Sequence, residues 1–91
     1  MARAVHLMIH GRVQGVGFRY HCRRQAQLGG ITGWVCNLES GEVEVVAEGE
    51  DGAVRRLIGW CGPGPLSAHV ARCEILEVAP QGCWTSFEAV S

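Results

Sequence analysis

Lysine is missing from this chain, and all eight basic residues are arginines. That excludes Schiff-base chemistry, a P-loop lysine and a lysine general base together. Aspartate is nearly missing too: Asp51 stands alone, in a loop ahead of a helix. A nucleophilic aspartate backed by further carboxylates around Mg²⁺ is therefore not available. No CxxC pair occurs, and the five cysteines (Cys22, Cys36, Cys61, Cys73 and Cys83) are an odd number. Disulfide-built secreted domains carry even counts at compact spacings, so free thiols in a reducing cytoplasm are expected. Long apolar runs are absent as well. The opening MARAVHLMIH carries His6 and His10 and resembles neither a secretory core nor a membrane span. With a net charge of −1 and a pI of about 6.4, no basic field exists to draw in nucleic acid or anionic membrane. Any anion must be bound locally.

What is present suits a globular fold, with 47% hydrophobic and 19% charged residues and no low-complexity segment. One domain over 1–91 is expected. Residues 4 to 10 alternate, with Val5, Leu7 and Ile9 on one face, as a half-buried strand does. From Phe18 the apolar spacing turns helical through Cys22, Ala26 and Leu28, and Gly29 and Gly30 stop the helix. Residues 31–38 and 42–48 flank the turn ESG and predict a β-hairpin. Val54, Leu57, Ile58 and Cys61 predict a second helix, ended by GPGP. Residues 69–78 read as a strand in which Val70 falls out of phase with Cys73 and Ile75, so a β-bulge is expected near Ala71 and Arg72. Residues 84–90 alternate again, with Phe87 and Ala89 on one face, and close the chain. The order predicts an α+β split βαβ sandwich: an antiparallel sheet with both helices on one face.

The stretch GRVQGVGFRYH, residues 11–21, lies between the first strand and the first helix. A glycine-rich turn there can aim several backbone N–H groups at one point, where the helix dipole adds positive potential. Gly15 and Gly17 let the backbone approach a ligand, and Arg19 in the first helical turn can fork onto oxyanions. This is a candidate phosphate site, although many glycine turns hold nothing. Without a following lysine it is no Walker A loop, and it lacks the G-x-G-x-x-G dinucleotide spacing. HCRR at 21–24 hints at a cysteine phosphatase, but the position six residues after Cys22 is Leu28, and Cys22 belongs to the apolar helix face. Histidines 6 and 10 lie about 13 Å apart along a strand, too far to share zinc. No metal and no cofactor are expected. Such a site suits a phosphate with a good leaving group, attacked directly by water.

GRVQGVGFR followed by LGGITGWVCNLESGEVEVVAEG resembles the acylphosphatases, small hydrolases of carboxyl-phosphate anhydrides. The similarity runs through the tryptophan and GP after the second helix to FEAV at the end. It implies a ferredoxin-like split βαββαβ sandwich, a phosphate cradle made by the backbone amides of Gln14, Gly15, Val16, Gly17, Phe18 and Arg19, and a catalytic pair, Arg19 and Asn37. Arg19 then takes up phosphoryl charge. Asn37 cannot titrate, but its carbonyl can accept from a water and aim it. With no general base in either motif block, a substrate oxygen is the expected proton acceptor. The implied partner is a small-molecule acyl phosphate, and a monomer is expected.

Cys36 departs from the pattern, since many family members carry Arg or Lys there. VCN is also similar to the acylphosphatase-like domain of hydrogenase-maturation carbamoyltransferases, but the sequence stops just past the last strand, which favours a stand-alone enzyme. A non-catalytic phosphate-binding module is the other alternative. An RNA-binding sheet is disfavoured, because its face would offer His, Met and Glu in place of exposed aromatics. Arg12 has no assigned role.

Overall fold

The computed structural model describes residues 2–90, so the first and last residues of the expected 1–91 domain lie outside the described residues. The elements are β1 (Ala2–Arg12), α1 (Phe18–Leu28), β2 (Thr32–Asn37), β3 (Val43–Glu50), α2 (Asp51–Cys61), β4 (His69–Val78) and β5 (Phe87–Val90). They form one sheet in the order β4-β1-β3-β2-β5. The first four strands pair antiparallel, and β5 runs parallel to β2. The expected α+β sandwich is present, with a mixed edge supplied by the short closing strand.

Alternation builds the sheet. Val5, Leu7 and Ile9 sit opposite Ala47, Val45 and Val43, and Val35 sits opposite Val45. Directly opposed residues share a face, so these side chains form one apolar layer. Phe18, Cys22 and Ala26 of α1 and Ala53, Val54, Leu57 and Cys61 of α2 join that same buried cluster, which places both helices on one face. Each large side chain buried there, Phe18 or Leu7 for example, stabilises the fold by about 1.5–3 kcal/mol. The bulge falls where the phase change requires it. His10 opposes Arg72 while Gly11 opposes Val70, leaving Ala71 as the extra residue, and Val70 and Cys73 both pack against the core.

Three expectations are corrected. Leu28 is 77% exposed, because at about 100° per residue it lies roughly 120° round α1 from the face that Phe18, Cys22 and Ala26 bury, and it lines a surface cleft with Arg56 and Leu57. Ile75 shares a face with Leu7 but is half exposed, since β4 is an edge strand reached by little of α2. The last strand begins at Phe87 rather than at residue 84: pairing to β2 starts at Gly33 opposite Phe87, and Ala89 stays exposed. Residues 79–86 are a loop whose turn at Gly82 takes φ 67°.

Arg3 ties β1 to both β4 and α2. It donates through Nε and Nη2 to Glu77 (3.1 and 2.5 Å) and through Nη1 to Asp51 (3.4 Å), while Arg55 also donates to Asp51 (2.6 Å). These bonds hold Glu77 and Asp51 below their ordinary carboxyl values of 4.5 and 3.8, Glu77 through Arg3 and Asp51 chiefly through Arg55. A depressed folded pKa adds stability that is complete above the unfolded value and lost as pH falls through the folded one. An Arg3→Met variant should therefore melt below wild type at pH 7, with the gap closing below about pH 4 as both carboxylates protonate. Thermal unfolding against pH measures this, and a gap independent of pH would refute it.

Candidate active site

The turn between β1 and α1 is anchored at both ends by buried side chains, Val13 and Phe18, while residues 14–17 are partly or fully open to solvent. Gly15 and Gly17 adopt φ 73° and 77°, a region where a Cβ is strained. Gly17 also caps α1 without a side-chain bond, and no acidic residue occupies the first helical turn. Among the described residues, no hydrogen bond takes up an amide N–H of residues 14–19. A row of free donors thus meets the positive end of a helix dipole, the arrangement that binds oxyanions.

Two side chains from distant parts of the chain complete the site. Arg19 leaves the first turn of α1, and its Nη1 donates to the Val90 carbonyl (3.0 Å) at the end of β5. Asn37, the last residue of β2, opposes Val43 and therefore lies on the helix-bearing face of the sheet, as Val43 does. Arg19 and Asn37 line one cleft of about 170 Å³ together with Val13, Gly15, Gly17, Phe18 and Tyr20. Gln14 and Val16 lie outside that lining. The Gln14 side chain turns to the β2–β3 hairpin, and the Val16 carbonyl accepts from Ser67 Oγ (3.1 Å). A larger cleft nearby, lined by His21, Trp60, Pro65, Leu66 and Ser67, has neither the row of amides nor a guanidinium.

Cys36 faces the opposite side of the sheet from Asn37. Its Sγ donates to Glu44 Oε1 (3.7 Å), whose other oxygen pairs with His6 Nε2 (2.6 Å). Burial pushes the Cys36 thiol above its ordinary value, the Glu44 carboxylate adds to this, and the Arg19 charge acts the other way. Burial and the Glu44 carboxylate both disfavour the thiolate, the nucleophilic form of cysteine. The five cysteines are free thiols. Cys22 and Cys61 belong to the core, and a hydrogen bond with Cys22, together with burial, raises the Cys61 thiol well above its ordinary value. His10 pairs with Glu74 (2.6 Å), and the described residues contain no cluster of histidine, cysteine and carboxylate able to hold a metal ion. Three contacts escaped the sequence pattern: the Tyr20 rim, the Val90 carbonyl and the Gln14 side chain. Only Tyr20 had a local signal, its place beside Arg19.

The amide row, one guanidinium and one carboxamide around a shared cleft, on a small α+β sandwich, have the chemistry of an oxyanion site. A profile of the acylphosphatase family matches residues 5–89. An acylphosphatase of Thermococcus kodakarensis is 51% identical over 77 residues, 85% of each chain. The crystal structure of acylphosphatase from Bacillus subtilis superposes with a TM-score of 0.93 at 31% identity, covering 100% of both chains. The structure of HypF from T. kodakarensis superposes with a TM-score of 0.84 at 33% identity, covering 98% of this chain and 12% of that one. The chain belongs to the acylphosphatase family, and it is a hydrolase of that class, acting on acyl phosphates. Among the described residues, no helix is long and apolar enough to cross a membrane.

Proposed function

We propose that the chain hydrolyses the carboxyl-phosphate anhydride by direct attack of water on phosphorus, with the phosphoryl group held by Arg19 and the amides of residues 14–19. The observation that carries this reading is the convergence of Arg19 and Asn37 on one cleft beside unpaired amides. The donors bind the non-bridging oxygens and stabilise the charge that grows on them during transfer. The Asn37 carbonyl accepts from the attacking water and sets its line of approach. Water oxygen bonds to phosphorus, the bond from phosphorus to the acyl oxygen breaks, and the carboxylate leaves with the electron pair. Among the described residues lining the cleft there is no carboxylate, histidine or thiol. The water proton therefore passes to a phosphoryl oxygen of the substrate, and inorganic phosphate is the second product.

The cradle contacts phosphate alone, which suits a small-molecule acyl phosphate with loose demands on the acyl part. A monomer acting alone in the cytoplasm, one domain over 1–91, fits this reading. Incubation with benzoyl phosphate in the presence of a chelator tests it. Release of phosphate and benzoate at a rate nearly flat across neutral pH is expected. Intact benzoyl phosphate alongside saturable phosphate binding would instead make the cradle a non-catalytic phosphate-binding module. A bell centred near pH 7 that disappears in His21→Gln would place a general base in the enzyme.

A further inference from the structure

Gln14 enters the reading above only through its backbone amide, yet its side chain makes the most specific polar contact around the site. Nε2 donates to the Leu38 carbonyl (2.6 Å) and to the Glu42 carbonyl (3.0 Å), which uses both hydrogens of the carboxamide. Those two acceptors are not arbitrary. Leu38 directly follows Asn37, and Glu42 directly precedes Val43, the residue paired with Asn37 across the ladder. The same carbonyls already close the hairpin turn, Glu42 accepting from Leu38 N (2.9 Å) and Leu38 from Gly41 N (3.1 Å). Glu39 and Ser40 at the tip are exposed. Without Gln14 the end of the hairpin would keep its own turn bonds and the solvent-facing approach of Glu42 Oε2 to His10 Nδ1 (3.6 Å), but no bond from the phosphate loop to its backbone, and ends so held open readily.

We infer that Gln14 is a positioning residue, whose side chain clamps the hairpin that carries Asn37 onto the phosphate cradle. One residue then contributes an amide to the phosphate and fixes the distance from phosphate to the water-aiming carboxamide. Because in-line attack depends steeply on that distance, the clamp governs turnover while leaving phosphate affinity to the amides and Arg19. The inference rests on the proposed role of Asn37.

The test is a double-mutant cycle between Gln14→Met and Asn37→Ala, with benzoyl phosphate kinetics, inhibition by inorganic phosphate and thermal unfolding measured on each protein. Methionine keeps the length of the side chain and removes both donors. Gln14→Leu, which also removes both donors without adding charge, should behave alike and serves if the first variant does not fold. In the wild-type background kcat should fall about 10-fold, with KM and phosphate Ki within about 2-fold; in the Asn37→Ala background the same substitution should lower kcat by less than about 2-fold. Equal losses in both backgrounds, a phosphate Ki that rises in step with the loss, or unchanged kcat in the wild-type background would each overturn the clamp. If Asn37→Ala itself leaves kcat intact, the role of Asn37 fails first, and the two failures are thereby distinguished.

Discussion

Arg19→Ala is expected to lower kcat/KM for benzoyl phosphate at least about 10³-fold and to weaken inhibition by phosphate about 10-fold or more. A guanidinium donates two parallel bonds to a phosphoryl group and carries a full charge into a cleft otherwise furnished with neutral amides. In the proposed role its hold on the substrate tightens as charge accumulates on the phosphoryl oxygens, so the loss should fall on both binding and turnover. The fold should survive, because the half-buried side chain is no part of the apolar core and its hydrogen bond to the Val90 carbonyl is a surface one. Arg19→Lys should recover only part of the activity, since an ammonium supplies the charge without the planar fork. Kinetics beside a melting curve separate the two effects. A variant that melts like wild type and retains wild-type kcat/KM would remove Arg19 from the site.

Asn37→Ala should behave differently, with kcat falling about 10²-fold while phosphate Ki changes little, because misplacement of a reacting group is costly and ground-state binding is untouched. The carboxamide ends β2, opposite Val43, and reaches the cleft beside Arg19 without being part of the amide row. The contrast between the two variants is the diagnostic feature. Arg19 should affect both phosphate affinity and turnover, and Asn37 turnover alone. If phosphate affinity falls with the asparagine variant, Asn37 binds the phosphoryl group rather than the water.

Local chemistry made much of the fold legible in the sequence. Val5, Leu7 and Ile9 announce β1, the phase slip between Val70 and Cys73 places a bulge near Ala71 and Arg72, of which Ala71 is the extra residue, and GPGP ends α2 where it should. Errors arose where tertiary placement decides. Leu28 falls off the face of α1 that the core buries, and residues 84–86 alternate but meet β2 through a single bond, Gly33 N to the Ser86 carbonyl, at the start of the ladder. The shape of the loop was readable for the same local reason: Gly15, Gly17 and Arg19 are neighbours in sequence, and the φ values of 73° and 77° at the two glycines are ones glycine permits. Pattern alone gave no link between Arg19 and Asn37. Their meeting depends on strand order, and its expectation came from resemblance to a family. The bonds from Gln14 to Leu38 and Glu42 span 24 and 28 residues, and that from Arg19 to Val90 spans 71. No spacing rule in a single sequence reports contacts of that kind.

The central claim is that water attacks phosphorus rather than the acyl carbon. Chelator-treated enzyme turning over benzoyl phosphate in ¹⁸O-enriched water tests it most directly, with both products analysed by mass spectrometry. With the phosphoryl group held in the cradle and the water aimed by Asn37, as proposed, the label should appear in inorganic phosphate and benzoate should carry none. Label in benzoate would mean cleavage at the carbonyl and would contradict the mechanism, whatever the rate.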